Sequence, residues 1–150
     1  MKDYKIRQGT EADLPAIREL IIELAIYEKE PHAVTNTIEM MKEDGFGQNA
    51  IFGFLVLEKS GKVVGTAIYY YRYSTWKGRI LYLEDLIVTK KERGAGMGKE
   101  LFDEVIKVAR NTECKGMMWQ VLDWNEPAIN FYKKYPTLFS EEWLNCHLYF

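Results

Sequence analysis

The chain is poor in the residues that build covalent or metal-held frameworks: its 150 residues include two cysteines, two histidines and four prolines. Cys114 and Cys146 have neither metal-ligand spacing nor a neighbouring base. The expectation is therefore a pair of buried, inert thiols in a reducing, cytoplasmic setting. His32 and His147 are isolated, so no metal is predicted, and no serine-hydrolase elbow occurs. No apolar run is long enough to cross a bilayer, and the polar start Met1-Lys2-Asp3-Tyr4 does not read as a signal peptide. A formal net charge of -2 argues against a nucleic-acid-binding surface. Neither a membrane nor a nucleic-acid partner is expected. With no repeat, linker or low-complexity run, residues 1–150 read as a single domain.

What is present is core-forming material, 47% hydrophobic and 14% aromatic, which suits a folded globular chain of this length. Lys5–Gln8 reads as a strand ending at Gly9. Thr10 and Asp13 form a variant capping box, and Leu14, Ile17, Ile21 and Leu24 follow at helical spacing. A second helix is predicted over Thr37–Glu43, stopped by Gly45 and Gly47. Phe52–Glu58 and Val63–Tyr73 read as strands joined by the turn Lys59-Ser60-Gly61-Lys62, with Arg79–Val88 as the third strand of the meander. Leu101, Phe102, Val105, Val108 and Ala109 line one face of a further helix. Met117–Leu122 is then a strand, Ala128–Tyr135 a helix and Trp143–Tyr149 a closing strand. The order β-α-α-β-β-β-α-β-α-β gives an α/β (α+β) architecture, a mixed sheet flanked by helices.

Between the third strand of the meander and the helix that follows lies Arg93-Gly94-Ala95-Gly96-Met97-Gly98. Glycines at alternate positions let a loop curl so that its N–H groups face one point. The next helix adds its own unpaired N–H groups and the positive end of its dipole. Such a cradle suits a phosphate or pyrophosphate, with Arg93 as a formal charge beside it, although a glycine-rich turn also serves simply as a helix entry. A Rossmann fingerprint would need glycine at Lys99. A Walker A loop would need glycine at Arg93 and Ser or Thr at Glu100.

Three further stretches carry potential chemistry. Leu83-Glu84-Asp85-Leu86 puts adjacent carboxylates in an apolar strand, where alternation sends them to opposite faces and at least one toward the interior or a cleft. A cationic ligand or proton transfer would explain that, as would a loop cap or pairing with Arg79 or Lys90. In Asp123-Trp124-Asn125-Glu126-Pro127-Ala128, Asn125 reads as a helix cap with Pro127 in the first turn, and Tyr132 falls on the same helix side. Tyr132 is either a core tyrosine or a general acid toward a leaving thiolate. Tyr27-Glu28-Lys29-Glu30 is a solvated loop unless it folds over a cleft.

Together these motifs resemble the GNAT superfamily and, within it, the diamine (spermidine/spermine) N-acetyltransferase family. The resemblance spans nearly the whole chain. It rests on Thr10-Glu11-Ala12-Asp13, Glu23-Leu24-Ala25-Ile26-Tyr27-Glu28, Glu43-Asp44-Gly45-Phe46-Gly47, Tyr82-Leu83-Glu84-Asp85 and the Arg93–Gly98 loop. Trp124-Asn125-Glu126-Pro127-Ala128-Ile129-Asn130-Phe131-Tyr132-Lys133 and Ser140-Glu141-Glu142 extend it. It implies the GNAT fold and direct attack of a primary amine on acetyl-CoA within a ternary complex. Residue by residue, Arg93, Gly94, Gly96 and Gly98 match the pyrophosphate loop, and Leu86 and Val88 the strand that pairs with the pantetheine arm. Asn125 matches a CoA-contacting asparagine and Tyr132 the general acid. Glu84 and Asp85 match the acidic pair near the amine, one of which accepts its proton through water. Tyr27 and Glu28 match a loop that gathers the acceptor's cationic tail.

The chain departs from polyamine-specific members at Ser74-Thr75-Trp76-Lys77-Gly78-Arg79, which lacks an acid before the tryptophan and resembles the thialysine-preferring subgroup. Tyr135-Pro136 stands where the family commonly has a glycine. The resemblance implies acetyl-CoA as co-substrate, a small amine as acceptor and a homodimer, with Trp143–Phe150 as a candidate contributor to it.

Overall fold

Period-two alternation and turn chemistry build a five-stranded sheet. In the computed structural model, which describes residues Met1–Phe150, the strands lie in the order β1 (Tyr4–Gln8), β2 (Gly53–Lys59), β3 (Lys62–Ser74), β4 (Gly78–Val88) and β5 (Gly116–Trp119). The first four are antiparallel neighbours, and β5 joins β4 in parallel. Ser60 and Gly61, at φ 52° and 75°, supply the left-handed pair that a two-residue hairpin turn requires. Helices α1 (Leu14–Tyr27), α2 (Ile38–Phe46), α3 (Met97–Asn111) and α4 (Glu126–Tyr132) complete the mixed α/β fold. The chain divides into a larger unit, Met1–Gln120, holding the sheet and α1 to α3, and a smaller one, Val121–Phe150, holding α4. No helix is long and apolar enough to cross a membrane.

Each face of the sheet buries its own helical stripe. On one, Phe54, Val56, Ile68 and Ile87 pack with Leu14, Ile17 and Leu20 of α1 and Met41 of α2. On the other, Leu57 and Val88 pack with Met97 at the start of α3, and Leu101, Phe102 and Val105 continue its buried stripe. The entry to α1 is fixed electrostatically. The Asp13 carboxylate accepts from the Thr10 N–H at 2.7 Å and from both Arg7 terminal nitrogens at 2.8 and 2.9 Å. The Arg7 guanidinium holds the Asp13 carboxyl down at about 2.

Several boundaries differ from the sequence expectation, each for a local reason. Gly45 does not stop α2, which runs on to Phe46; a Cβ at Gly45 would sit 2.7 Å from the Phe52 ring, so glycine there permits close packing. α4 starts at Glu126 rather than Ala128, since Pro127 is tolerated in its first turn. β5 ends at Trp119, short of Leu122. The expected closing strand over Trp143–Tyr149 does not form. Trp143 is 79% exposed and Tyr149 85%, and no ladder partner meets the segment. Strand-like composition that pairs with no ladder does not make a strand. Cys146 is likewise exposed and Cys114 half-buried, so neither thiol is the buried one anticipated.

Candidate active site

The end of β4 is pinned before the glycine loop begins. The Thr89 N–H donates to the Val64 carbonyl at 2.8 Å, and the Thr89 hydroxyl donates to Glu23 of α1, also at 2.8 Å. The Arg93 Nε–H donates back to the Val88 carbonyl at 2.8 Å, and its guanidinium lies 5.5 Å from the centre of the Tyr27 ring. Gly94 and Gly96 then adopt φ 89° and 81°, a conformation that disfavours side chains. A Cβ at either would meet no heavy atom within 4 Å, so the loop borders open space that a side chain would fill. Gly96 caps α3, whose first-turn N–H groups have no intrahelical acceptors. This arrangement fits a pyrophosphate. Gly98 lies inside the first turn of α3, where a Cβ would only touch Val88 at 3.9 Å; the fold itself does not demand glycine there.

Upstream, β4 is irregular where its acids sit. Ile68 opposes Asp85 while Tyr69 opposes Leu83, leaving Glu84 as an extra residue in a bulge. The bulge corrects the expectation that Glu84 and Asp85 face opposite ways. Tyr70 and Tyr82, paired on the Ile68 side of the sheet, stack at 5.2 Å, and the Tyr70 hydroxyl donates to Glu84 at 3.3 Å. Asp85 lies opposite Ile68 on that same side. No cation pairs with it. Burial raises its carboxyl to about 7, and the charges of Glu84 and Glu28 push the same way. Glu28, at the end of α1, is itself raised by burial. The proposed pairing with Arg79 or Lys90 is absent; Arg79 instead donates to the Thr112 carbonyl. β5 pairs β4 only as far as Leu83, so the β5-facing edge of β4 beyond it, through Leu86 and Val88, has no strand beside it.

In the smaller unit, the Asn125 side chain accepts from the Ala128 N–H at 3.4 Å and caps α4. Tyr132 ends that helix, buried, with its ring edge-on to Phe131 at 5.2 Å.

The chain as a whole has clear counterparts among known proteins. The family model described as Acetyltransferase (GNAT) family matches residues 14–135. The chain belongs to the GNAT acetyltransferase family. Among curated relatives of this acetyltransferase, the thialysine N-epsilon-acetyltransferase of Mus musculus is 41% identical over 141 residues, covering 89% of this chain and 83% of that one. The spermidine/spermine N(1)-acetyltransferase-like protein 1 of Homo sapiens is 39% identical, over 88% of this chain and 20% of that one. Among solved structures, the aminoglycoside N-acetyltransferase AAC(6')-Iy in complex with CoA aligns with TM-score 0.77 at 17% identity. It covers 97% of this chain and 94% of that one, a likeness of fold.

Sequence reading of this acetyltransferase passed over three features near the acids. The Tyr70–Tyr82 stack, Arg72 on the same side of β3, and the Glu23–Thr89 bond were not singled out. The first two were legible as period-two partners of Ile68 and Glu84 across a hairpin. The third joins residues far apart in the chain and left no local signal.

Proposed function

We propose that this GNAT acetyltransferase moves the acetyl group of acetyl-CoA to the primary amine of a small cationic acceptor, a thialysine-like amino acid or a short diamine. The observation that carries this reading is the bulge, which collects Glu84 and Asp85 on one side of β4 near Glu28, directly upstream of the glycine loop. Bound acetyl-CoA supplies an activated thioester. Arg93, Gly94, Gly96 and Gly98 would hold its pyrophosphate, and the free edge at Leu86 and Val88 suits the amides of its pantetheine arm.

An alkylammonium with a pKa near ~10.4 must lose its proton before it attacks. Exposed Glu84 draws the cationic acceptor to this face. Asp85, titrating near neutrality, accepts the proton, directly or through water. Glu28 and Tyr27 flank the acceptor side. Tyr132 returns a proton to the departing thiolate and Asn125 contacts CoA; both roles rest on the match to the family motif. Positioning two bound substrates supplies much of the rate.

The same reading takes residues 1–150 as one catalytic domain, supported by a family match that spans both compact units. It assigns the protein to the cytoplasm, in keeping with its two free thiols. It also makes the protein a homodimer, which would cover the exposed Trp143, Leu144, Leu148 and Tyr149.

The test is acetyl-CoA-dependent release of CoA thiol with thialysine, lysine, putrescine, spermidine, spermine and a lysine peptide. Turnover on one of the small amines supports the proposal. Turnover on the peptide alone points to a protein lysine acetyltransferase, and acetyl-CoA binding without turnover points to a CoA-sensing module.

A further inference from the structure

Beyond the acids, the same side of the sheet carries a cation that the reaction as described does not use. Arg72 follows Tyr70 by two residues on β3 and opposes Ile80, so it shares the face of the Tyr70–Tyr82 stack. It is exposed, and its Nη1 donates across β4 to the Met118 sulfur at 2.7 Å. A thioether is a weak acceptor, so a guanidinium with five donors keeps most of its capacity. No carboxylate forms a salt bridge with it, although its charge is felt at both Tyr70 and Tyr82. An exposed arginine anchored by a thioether, on the same face as the Tyr70–Tyr82 stack and the acids, is arranged for an anion.

We propose that Arg72 binds the α-carboxylate of an amino-acid acceptor and makes this enzyme prefer lysine-type amino acids over diamines and polyamines. The inference rests on the amine-acetylation reading above and names its substrate class. Met118, which anchors the guanidinium, opposes Tyr82, three residues before Asp85. Because the bulge lies between them, Tyr82 and Asp85 oppose Tyr70 and Ile68, two residues apart on β3, a separation of roughly 7 Å at strand rise. An extended lysine spans roughly 7–8 Å from carboxylate to side-chain nitrogen. One end of such an acceptor therefore reaches Arg72 while its reacting amine lies at Asp85. Glu84, between them and held by the Tyr70 hydroxyl, is placed for the α-ammonium. The same guanidinium repels the second ammonium of a diamine lying along this face, so attraction and repulsion select in the same direction.

Lysine and pentane-1,5-diamine differ by the α-carboxylate alone, which makes them the discriminating pair. Steady-state release of CoA thiol would be measured for both with the unsubstituted protein, Arg72→Gln and Arg72→Lys. The unsubstituted enzyme should favour lysine in kcat/KM by about tenfold or more, the scale of a charge-assisted hydrogen bond. Arg72→Gln should erase that ratio through KM for lysine, and Arg72→Lys should keep part of it. An unsubstituted enzyme that favours the diamine, or a ratio unmoved by Arg72→Gln, overturns the role of Arg72 while leaving amine acetylation intact. Absence of CoA release with either acceptor and every other amine tested defeats the underlying reading as well.

Discussion

At Asp85, burial lifts the carboxyl to about 7, and Glu84 and Glu28 add to the effect. A proton acceptor must be ionised, so kcat/KM should rise with pH through about 7 and then level off. Asp85→Asn should abolish that limb along with most of the turnover. Glu84→Gln removes a like charge and should move the limb to lower pH; a pH profile that stays in place would assign it to another group. The same shift has a cost in stability. The folded-state value lies above the ordinary carboxylate value, so the native chain holds this proton more tightly and loses stability as pH rises from about 4 through 7. Urea unfolding at pH 8 should therefore show Asp85→Asn more stable by on the order of 2 kcal/mol while it is less active. At Tyr132 the expectation is narrower. Tyr132→Phe should lower kcat at least about tenfold with acetyl-CoA binding retained, the scale of general acid catalysis. Calorimetric titration with CoA separates that outcome from a folding defect.

The elements differ in how openly the sequence displays them. β1 to β4 and α3 were legible because alternation, the Ser60-Gly61 turn and a helical apolar stripe each act locally. The conformation of the glycine loop was equally legible, since Gly94 and Gly96 satisfy a backbone requirement written in the residues themselves. The acceptor side was harder to read. A bulge depends on register between two strands, and nothing in Leu83-Glu84-Asp85-Leu86 alone reveals that Glu84 is the extra residue. The role of Gly45 was misread for a similar reason: the Phe52 ring that requires it comes from outside the helix. Gly94→Ala tests the loop at this scale. The left-handed conformation should cost about 1–2 kcal/mol of stability for alanine. The new methyl group enters open space, so KM for acetyl-CoA should rise tenfold or more while discrimination among amines stays the same. A loss confined to stability would mean that the pyrophosphate lies elsewhere.

For the molecule as a whole, the segment Trp143–Phe150 sets the clearest question. Its large apolar side chains are exposed, an unfavourable state in water that a second copy of the chain would relieve. Sedimentation should give a two-chain mass, and removing residues 143–150 should shift it toward one chain; a mass unaffected by the removal would place the contact elsewhere. The bulge at Glu84 has a molecule-wide consequence of another kind. It acts as a phase shift of one residue, after which every β4 side chain up to Val88 faces the side opposite to the one uninterrupted alternation would give. Deleting Glu84 would restore an even pleat and keep the native facing, because Leu83 would still oppose Tyr69 and Asp85 would still oppose Ile68; a regular pleat with Glu84 retained would instead reverse it. Ile87 would then leave the α1 core, Leu86 and Val88 would turn toward it, and Asp85 would be carried to the α3 side. The facing of Asp85 and the assignment of two hydrophobic cores thus depend on the bulge that absorbs this one extra residue.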